Sequence, residues 1–204
     1  MKQAQVLSFN TKLKVLLVEN NKAKADQLAA ALDHSNYRIE HISNTGISLL
    51  KEVEIIQPDL IIIDIESPDR DMLESLHRIS QSAPKPVVMF SEQDDQHIIN
   101  QLVKSGVSAY VVGEVNRVRV KSVLDIAMAR FTEYQGLKKE LEDTKQKLTS
   151  QKNVEKAKRW LMEHKNLSET DAYHSIRKMA MDNSQKMDDV AKNILAMAAM
   201  FEAS

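Results

Sequence analysis

Four positions in the first half of the chain carry groups that do chemistry at the ends of short apolar runs. These are Glu19-Asn20-Asn21, Asp64, Ser91 and Gly113. Carboxylates and a hydroxyl gathered on one rim are the groups that accept a phosphoryl group or exchange protons with a substrate. No His or Lys is placed by motif to act as base beside Glu19, Asp64 and Ser91, so an enzyme is not expected. His34, His41, His77, His97, His164 and His174 are scattered without metal-ligand spacing, and there is no Cys. Neither a metal nor a cofactor is therefore expected. The second concentration of chemistry is cationic. Residues 152–187 hold eight Lys or Arg against five Asp or Glu, concentrated in Lys152, Lys156, Lys158, Arg159, Arg177, Lys178 and Lys186. Counted as charge alone, that excess reads as a solvated face as readily as a binding surface.

The elements that position the first group are legible from periodicity. Leu13 to Val18, Tyr37 to Ile42, Leu60 to Ile63, Val87 to Phe90 and Ala109 to Val112 are short and rich in branched or aromatic residues, and read as five strands. Between them, Ala25, Leu28, Ala29 and Leu32, then Leu49, Leu50, Val53 and Ile56, then Met72, Leu73, Leu76 and Ile79 recur at helical spacing. Pro58, Pro84 and Pro86 stand just before strands, where a helix must have ended. Alternating strand and helix with nearly continuous apolar strands predicts an α/β fold, a doubly wound five-stranded parallel sheet covered on both faces. Ligands of such sheets gather at the carboxyl ends of the strands, where the four positions above fall.

Composition sets the outer limits. The 204 residues give room for one ordinary domain and a smaller one, and 43% apolar with 28% charged residues is globular. A net charge of -1 excludes coating of nucleic acid by bulk electrostatics, so any such binding must come from a local patch. The apolar runs are far shorter than a membrane span, no signal-peptide pattern opens the chain, and a cytoplasmic protein is expected.

Over about residues 12–125 these features resemble the receiver domain of response regulators. Asp64 falls where that family carries its phosphoacceptor aspartate, Ser91 falls on its switch hydroxyl, and Ser105 to Tyr110 match the approach to its fifth strand. Receivers bind a divalent cation through two acids after the first strand and the acceptor. Here the pair is Glu19 and Asn20, so one carboxylate is gone. The family's lysine at the end of the fifth strand is replaced by Gly113, and Glu114 stands where proline is usual. A pseudo-receiver that serves as a protein-binding platform is expected, with phospho-switching at Asp64 the competing reading. On the platform reading Asp64 is a leftover acid at a solvated strand mouth.

Beyond Pro86 there is no proline, and Gly136 is the one glycine after Gly113, so a helix can run on from about Val118. Ala127, Tyr134, Leu137, Leu141, Thr144 and Leu148 follow steps of three and four, the spacing of a two-stranded seam, with Arg130, Thr144 and Gln151 as poor members. A weak coiled coil is predicted, against a plain solvent-bridging helix. Ser168 to Asp171 has capping-box spacing and should open a helix, with Ala172, Ile176, Met179 and Ala180 on one face. A further start near Asn183-Ser184 precedes a stripe of Met187, Val190, Ala191, Ile194, Leu195, Ala198 and Phe201. With Ala157, Trp160 and Leu161 on the preceding helix, three helices can share a small core, and Trp160 reads as a packing residue.

Ala157 to Met162, Asp171 to Ala180 and Asp189 to Leu195 together resemble the ANTAR domain, a three-helix RNA-binding module named for transcription antitermination regulators. Lys152, Lys158, Arg177, Lys178 and Lys186 fall at positions commonly basic in that family, and Tyr173 is a candidate platform for an unpaired base or a half-buried core residue. Arg159 replaces the glycine usual after Ala-Lys. Residues 64–71, 87–91, 105–112 and 124–131 are further similar to nitrate/nitrite-responsive antiterminators. That resemblance implies binding to a leader mRNA with paired hairpins, prevention of a terminator, and control by a nitrate/nitrite sensor of the periplasmic-binding-protein type rather than by phosphorylation. A homodimer suits a two-hairpin target. The expected division is 12–122 receiver-like, 123–151 coiled-coil linker helix and 152–204 ANTAR domain. The alternative is a phosphorylation-controlled response regulator with a DNA-binding output, which would need a recognition helix that the short terminal helices do not display.

Overall fold

The computed structural model describes residues 12–32, 36–43, 48–113 and 117–202, without the side chains at 117, 118, 201 and 202. His34, Glu114 and the side chain of Phe201 lie outside the described residues. Two compact units divide between Tyr134 and Gln135.

The first unit opens with β1 (Leu13–Glu19), α1 (Lys22–Ala31), β2 (Tyr37–Ile42), α2 (Leu49–Ile56), β3 (Leu60–Asp64) and α3 (Arg70–Ser82). β4 (Val87–Ser91), α4 (Gln96–Lys104), β5 (Ala109–Val112) and the start of α5 (Arg117–Lys165) follow. All strand pairs are parallel, in the order β2-β1-β3-β4-β5. The predicted strands are found, three of them reaching one residue further so that Glu19, Asp64 and Ser91 close their own strands.

Strand alternation divides the core between the two faces of the sheet. Leu16, Val18, Ile61, Ile63 and Met89 meet Leu49, Val53, Met72, Leu76, Ile79 and Leu102 from α2, α3 and α4. Val15, Leu17, Leu60, Ile62, Val88 and Phe90 meet Ala25, Leu28 and Leu32, together with Val120, Leu124 and Ala127 of α5. Ala127 is fully buried there, which removes it from the predicted coiled-coil seam. Its spacing to Tyr134 fits the seam, but its helix phase also continues Val120 and Leu124, and the receiver core takes it. Tyr134, Leu137, Leu141 and Leu148 remain exposed along α5.

α5 is one helix of 49 residues that continues into the second unit, where α6 (Glu169–Asp182) and α7 (Met187–Glu202) complete a trio. Ser168 caps α6 as expected, its Oγ accepting from the Asp171 N–H at 3.1 Å. Asn183 does not open α7; it terminates α6, donating its side-chain amide to the Met179 carbonyl, and Ser184 turns the chain at φ 52°. Ala157, Ala172, Ala180 and Ala191 are buried where the helices meet, with Leu161, Ile176, Val190 and Ile194 filling the core between them. Residues without bulk at these crossings let helix axes approach closely.

Candidate functional site

The strand order reverses between β1 and β3, which opens a crevice above their carboxyl ends. Glu19 and Asp64 are register partners across that pair. Residues 45 apart in sequence are thus neighbours at the mouth of a cavity of about 500 Å³, lined by Glu19, Asn20, Asn21, Lys24, Asp64 and the start of the β3–α3 loop.

Asn21 ends the turn after β1 and caps α1, its Oδ1 accepting from the N–H groups of Ala23 and Lys24. Its own N–H donates to Glu19 Oε1 at 2.7 Å, which fixes a carboxylate that is 5% exposed. The cap also sets Lys24 in the first turn over the strand mouth. Burial, then the Glu19 charge and a side-chain hydrogen bond to Glu19, push the Asp64 carboxyl up to about 6, while Lys24 pulls the other way. A cation beside Asp64 would oppose that shift.

Lys24 is the cavity-lining residue that sequence reading missed. The signal available was Asn21 as a helix cap three residues before it. It stands in the cavity from the α1 side, whereas receivers supply their lysine from the end of the fifth strand. Gly113, at φ +99°, brings no side chain and has open space around its Cα. The donor set for a divalent cation is Glu19 and Asp64 with the neutral Asn20. Glu66 lines the same cavity, but among the described residues no three acid or His side chains group closely enough to hold a metal ion. These residues do not reproduce the receiver cation site.

Ser91 does not line this cavity. Its hydroxyl donates to the Glu66 carbonyl at 2.9 Å and accepts from the Gln93 N–H at 3.2 Å, tying the loop after β3 to the loop after β4. Tyr110 on β5 reinforces the second loop, its OH donating to the Gln93 carbonyl at 2.8 Å. The structure therefore brings Glu19, Asn20 and Asp64 together and engages Ser91 elsewhere.

In the second unit the predicted cations fall in separate places. Tyr173 and Arg177, four residues apart, are neighbours beside the buried Ala172–Ile176–Ala180 stripe of α6, and Lys178 stands further round its exposed surface. Tyr173 is 41% exposed, with its ring edge-on to His174, so it is no core tyrosine. Arg177 and Lys178 are exposed, and among the described residues neither they nor Lys152 forms a salt bridge. Lys152 stands on α5 at the spacing of Lys156 and Arg159, and Lys186 lies in the α6–α7 connection, beside Asp188. Lys158 differs from the rest. Its ammonium bridges Glu155 and Glu169 at 2.7 Å each, with the side chain only 12% exposed, and both acids hold its pKa above the usual lysine value. That charge is offset inside the α5–α6 junction.

Residues 15–125 match the family described as response regulator receiver domain, and residues 142–195 match the ANTAR domain. The chain is 27% identical over 182 residues to the transcriptional regulatory protein PdtaR of Mycobacterium tuberculosis, covering 89% of each. It is 33% identical over 84 residues to the nitrate regulatory protein of Klebsiella oxytoca, 41% of this chain and 21% of that one. A CheY-like receiver domain protein from Methanospirillum hungatei superposes with a TM-score of 0.53 at 19% identity, covering 61% of this chain and 99% of the other. None of the described helices is long and apolar enough to cross a membrane. Sheet order, acid placement and the two family matches converge: the chain belongs to the response regulators, with a receiver domain followed by an ANTAR domain.

Proposed function

We propose that this response regulator is an RNA-binding antitermination factor, in which the α6 surface holds paired hairpins of a leader mRNA and so prevents formation of a terminator. The observation that carries the reading is the exposed surface of α6, where Tyr173, Arg177 and Lys178 stand on a helix anchored by Ala172, Ile176 and Ala180 and by a capped start. Guanidinium and ammonium groups free of acidic partners suit closely spaced phosphates, and an exposed ring suits an unstacked base. Lys152 on α5 and Lys186 in the α6–α7 connection supply further cations for RNA, and Lys158 contributes by fixing the α5–α6 junction.

Control in this proposal comes from a nitrate/nitrite sensor of the periplasmic-binding-protein type that sequesters the regulator, with nitrate or nitrite assimilation genes as targets. The Glu19–Asp64 acid pair, the neutral Asn20 and the absent side chain at Gly113 support a receiver that works as a docking platform without phosphoryl transfer. The exposed Tyr134, Leu137, Leu141 and Leu148 support a homodimer through the coiled-coil segment, which suits a two-hairpin target. The work is thereby divided among a receiver over 12–122, a linker helix over 123–151 and an RNA-binding domain over 152–204, in the cytoplasm.

The test is a mobility-shift series with a two-hairpin leader RNA against the corresponding DNA duplex. Arg177→Glu or Lys178→Glu should weaken the RNA complex by at least about tenfold, the loss of a charge-assisted hydrogen bond, and abolish antitermination with the helical circular dichroism unchanged. RNA affinity that survives both reversals removes the assignment. Tight binding to promoter duplexes in place of RNA would favour a DNA-binding response regulator.

A further inference from the structure

Trp160 is the chain's one tryptophan and is shared between two environments. Part of its ring packs against the three-helix core. The ring is also stacked on the exposed imidazole of His164, with centroids 4.6 Å apart and planes 15° from parallel. His164 is held there by its Nδ1, 3.1 Å from the Trp160 carbonyl oxygen. The indole N–H has no hydrogen-bond partner, and among the described residues no other buried side-chain nitrogen or oxygen shares that condition. Packing explains the buried part of the ring. It leaves the stack and the orphaned donor without an account.

The surroundings supply one. Trp160 lines a shallow groove of about 260 Å³ between α5 and α7, with Leu195 and Ala198 as its apolar wall and Lys156, Arg159 and Glu163 on its α5 side. Lys152, Lys156 and Arg159 recur at steps of four and three, so they form a cationic strip along one side of α5. A flat aromatic surface beside a cationic strip is complementary to an unpaired nucleotide, which offers a π face, acceptor oxygens and a phosphate. Glu163 gives the groove polarity: it repels phosphate and accepts from the N–H groups of a base.

We propose that the α5–α7 groove holds one unpaired RNA nucleotide, its base stacked on the Trp160 indole and its phosphate against Lys156 and Arg159. A ribose or phosphate oxygen lying in the plane of the indole then provides the partner that its N–H lacks. The inference rests on the RNA-binding reading above and adds to it a site on different helix faces from Tyr173, Arg177 and Lys178.

Because Trp160 is unique, its emission reports the groove directly. The full chain is titrated with a two-hairpin RNA carrying unpaired loops and, in parallel, with a blunt RNA duplex of the same stems. Affinity is read independently from the anisotropy of end-labelled RNA. Loop-bearing RNA should change Trp160 emission with the same Kd as the anisotropy, and the blunt duplex should not. Trp160→Leu, which keeps apolar packing but removes the platform, should weaken loop-bearing RNA about ten- to hundredfold. Since that change touches the core, Lys156→Ala with Arg159→Ala serves as a second variant on exposed positions. It should weaken binding by about tenfold or more at low salt and flatten the salt dependence. Full anisotropy binding with unchanged emission and wild-type affinity in the Lys156/Arg159 variant overturns the groove assignment and leaves the α6 reading standing. No RNA binding by anisotropy overturns both. Emission that responds to polyglutamate and not to RNA gives the groove to an acidic protein segment and likewise overturns the proposal.

Discussion

The acid pair at the mouth of the receiver makes a quantitative prediction. Asp64→Asn removes a carboxyl that burial and Glu19 hold at about 6 against an ordinary value of 3.8. Well below pH 3.8 this carboxyl is protonated in the folded and unfolded chain alike and exacts no penalty. As pH rises past 3.8 the unfolded chain ionises first while the folded one keeps its proton, so stability falls until about pH 6 and stays lower above it. At about 1.4 kcal/mol per pH unit the full difference is about 3 kcal/mol, and partial solvent exposure of Asp64 reduces the expected effect to about 1–2 kcal/mol. Asparagine keeps the shape and can still donate to the Glu19 carboxylate. The variant should therefore be more stable than wild type by that amount at pH 7.5, with the difference shrinking to about 0.6 kcal/mol or less at pH 4. Because the chain has two compact units, the assay is amide hydrogen exchange at β1 and β3, which reports the receiver by itself. Equal protection of variant and wild type at both pH values, or lower protection of the variant at pH 7.5, would refute a raised Asp64 pKa. The same variant should retain wild-type antitermination; loss of activity would return Asp64 to the role of phosphoacceptor.

Three further outcomes follow from the geometry. Lys158→Ala should lower the melting temperature of the second unit while changing RNA affinity by less than about threefold, since its ammonium is spent on Glu155 and Glu169; a larger RNA defect at unchanged stability would make it a contact residue. Leu137→Glu combined with Leu141→Glu should convert a dimer to monomer in sedimentation velocity, in the presence of RNA if not before, and a dimer that persists would place self-association elsewhere. Gly106→Ala should destabilise the receiver by about 2 kcal/mol or more in urea denaturation, because a Cβ there would come within 2.5 Å of Ser80 Cβ at a φ of +100°; an unchanged midpoint would contradict the close approach.

Sequence alone determined the five strands, most of the helices and their order, for a local reason, while α4 and the start of α7 were not read correctly from it. A strand or helix buried on a known side must repeat its apolar residues with a fixed period, so Leu60-Ile61-Ile62-Ile63 and the Ala172–Ile176–Ala180 stripe declare themselves without any neighbour. Ser168 was equally legible, because a cap bonds to a backbone N–H three residues away. What the tertiary structure alone decided involves pairs far apart in the chain or the choice of one helix phase over another. Glu19 helps to hold the Asp64 carboxyl above its usual range because β1 and β3 adopt one particular register. Lys24 reaches their cavity because a cap at Asn21 aims α1 over it. Ala127 fitted two helical patterns, and packing against Val120 and Leu124 chose between them. Lys158 looked like the other cations until Glu169, on another helix, claimed it. The orphaned N–H of Trp160 was invisible for the same reason. Periodicity records which way a side chain faces, and hydrogen bonding depends on what another segment brings to meet it.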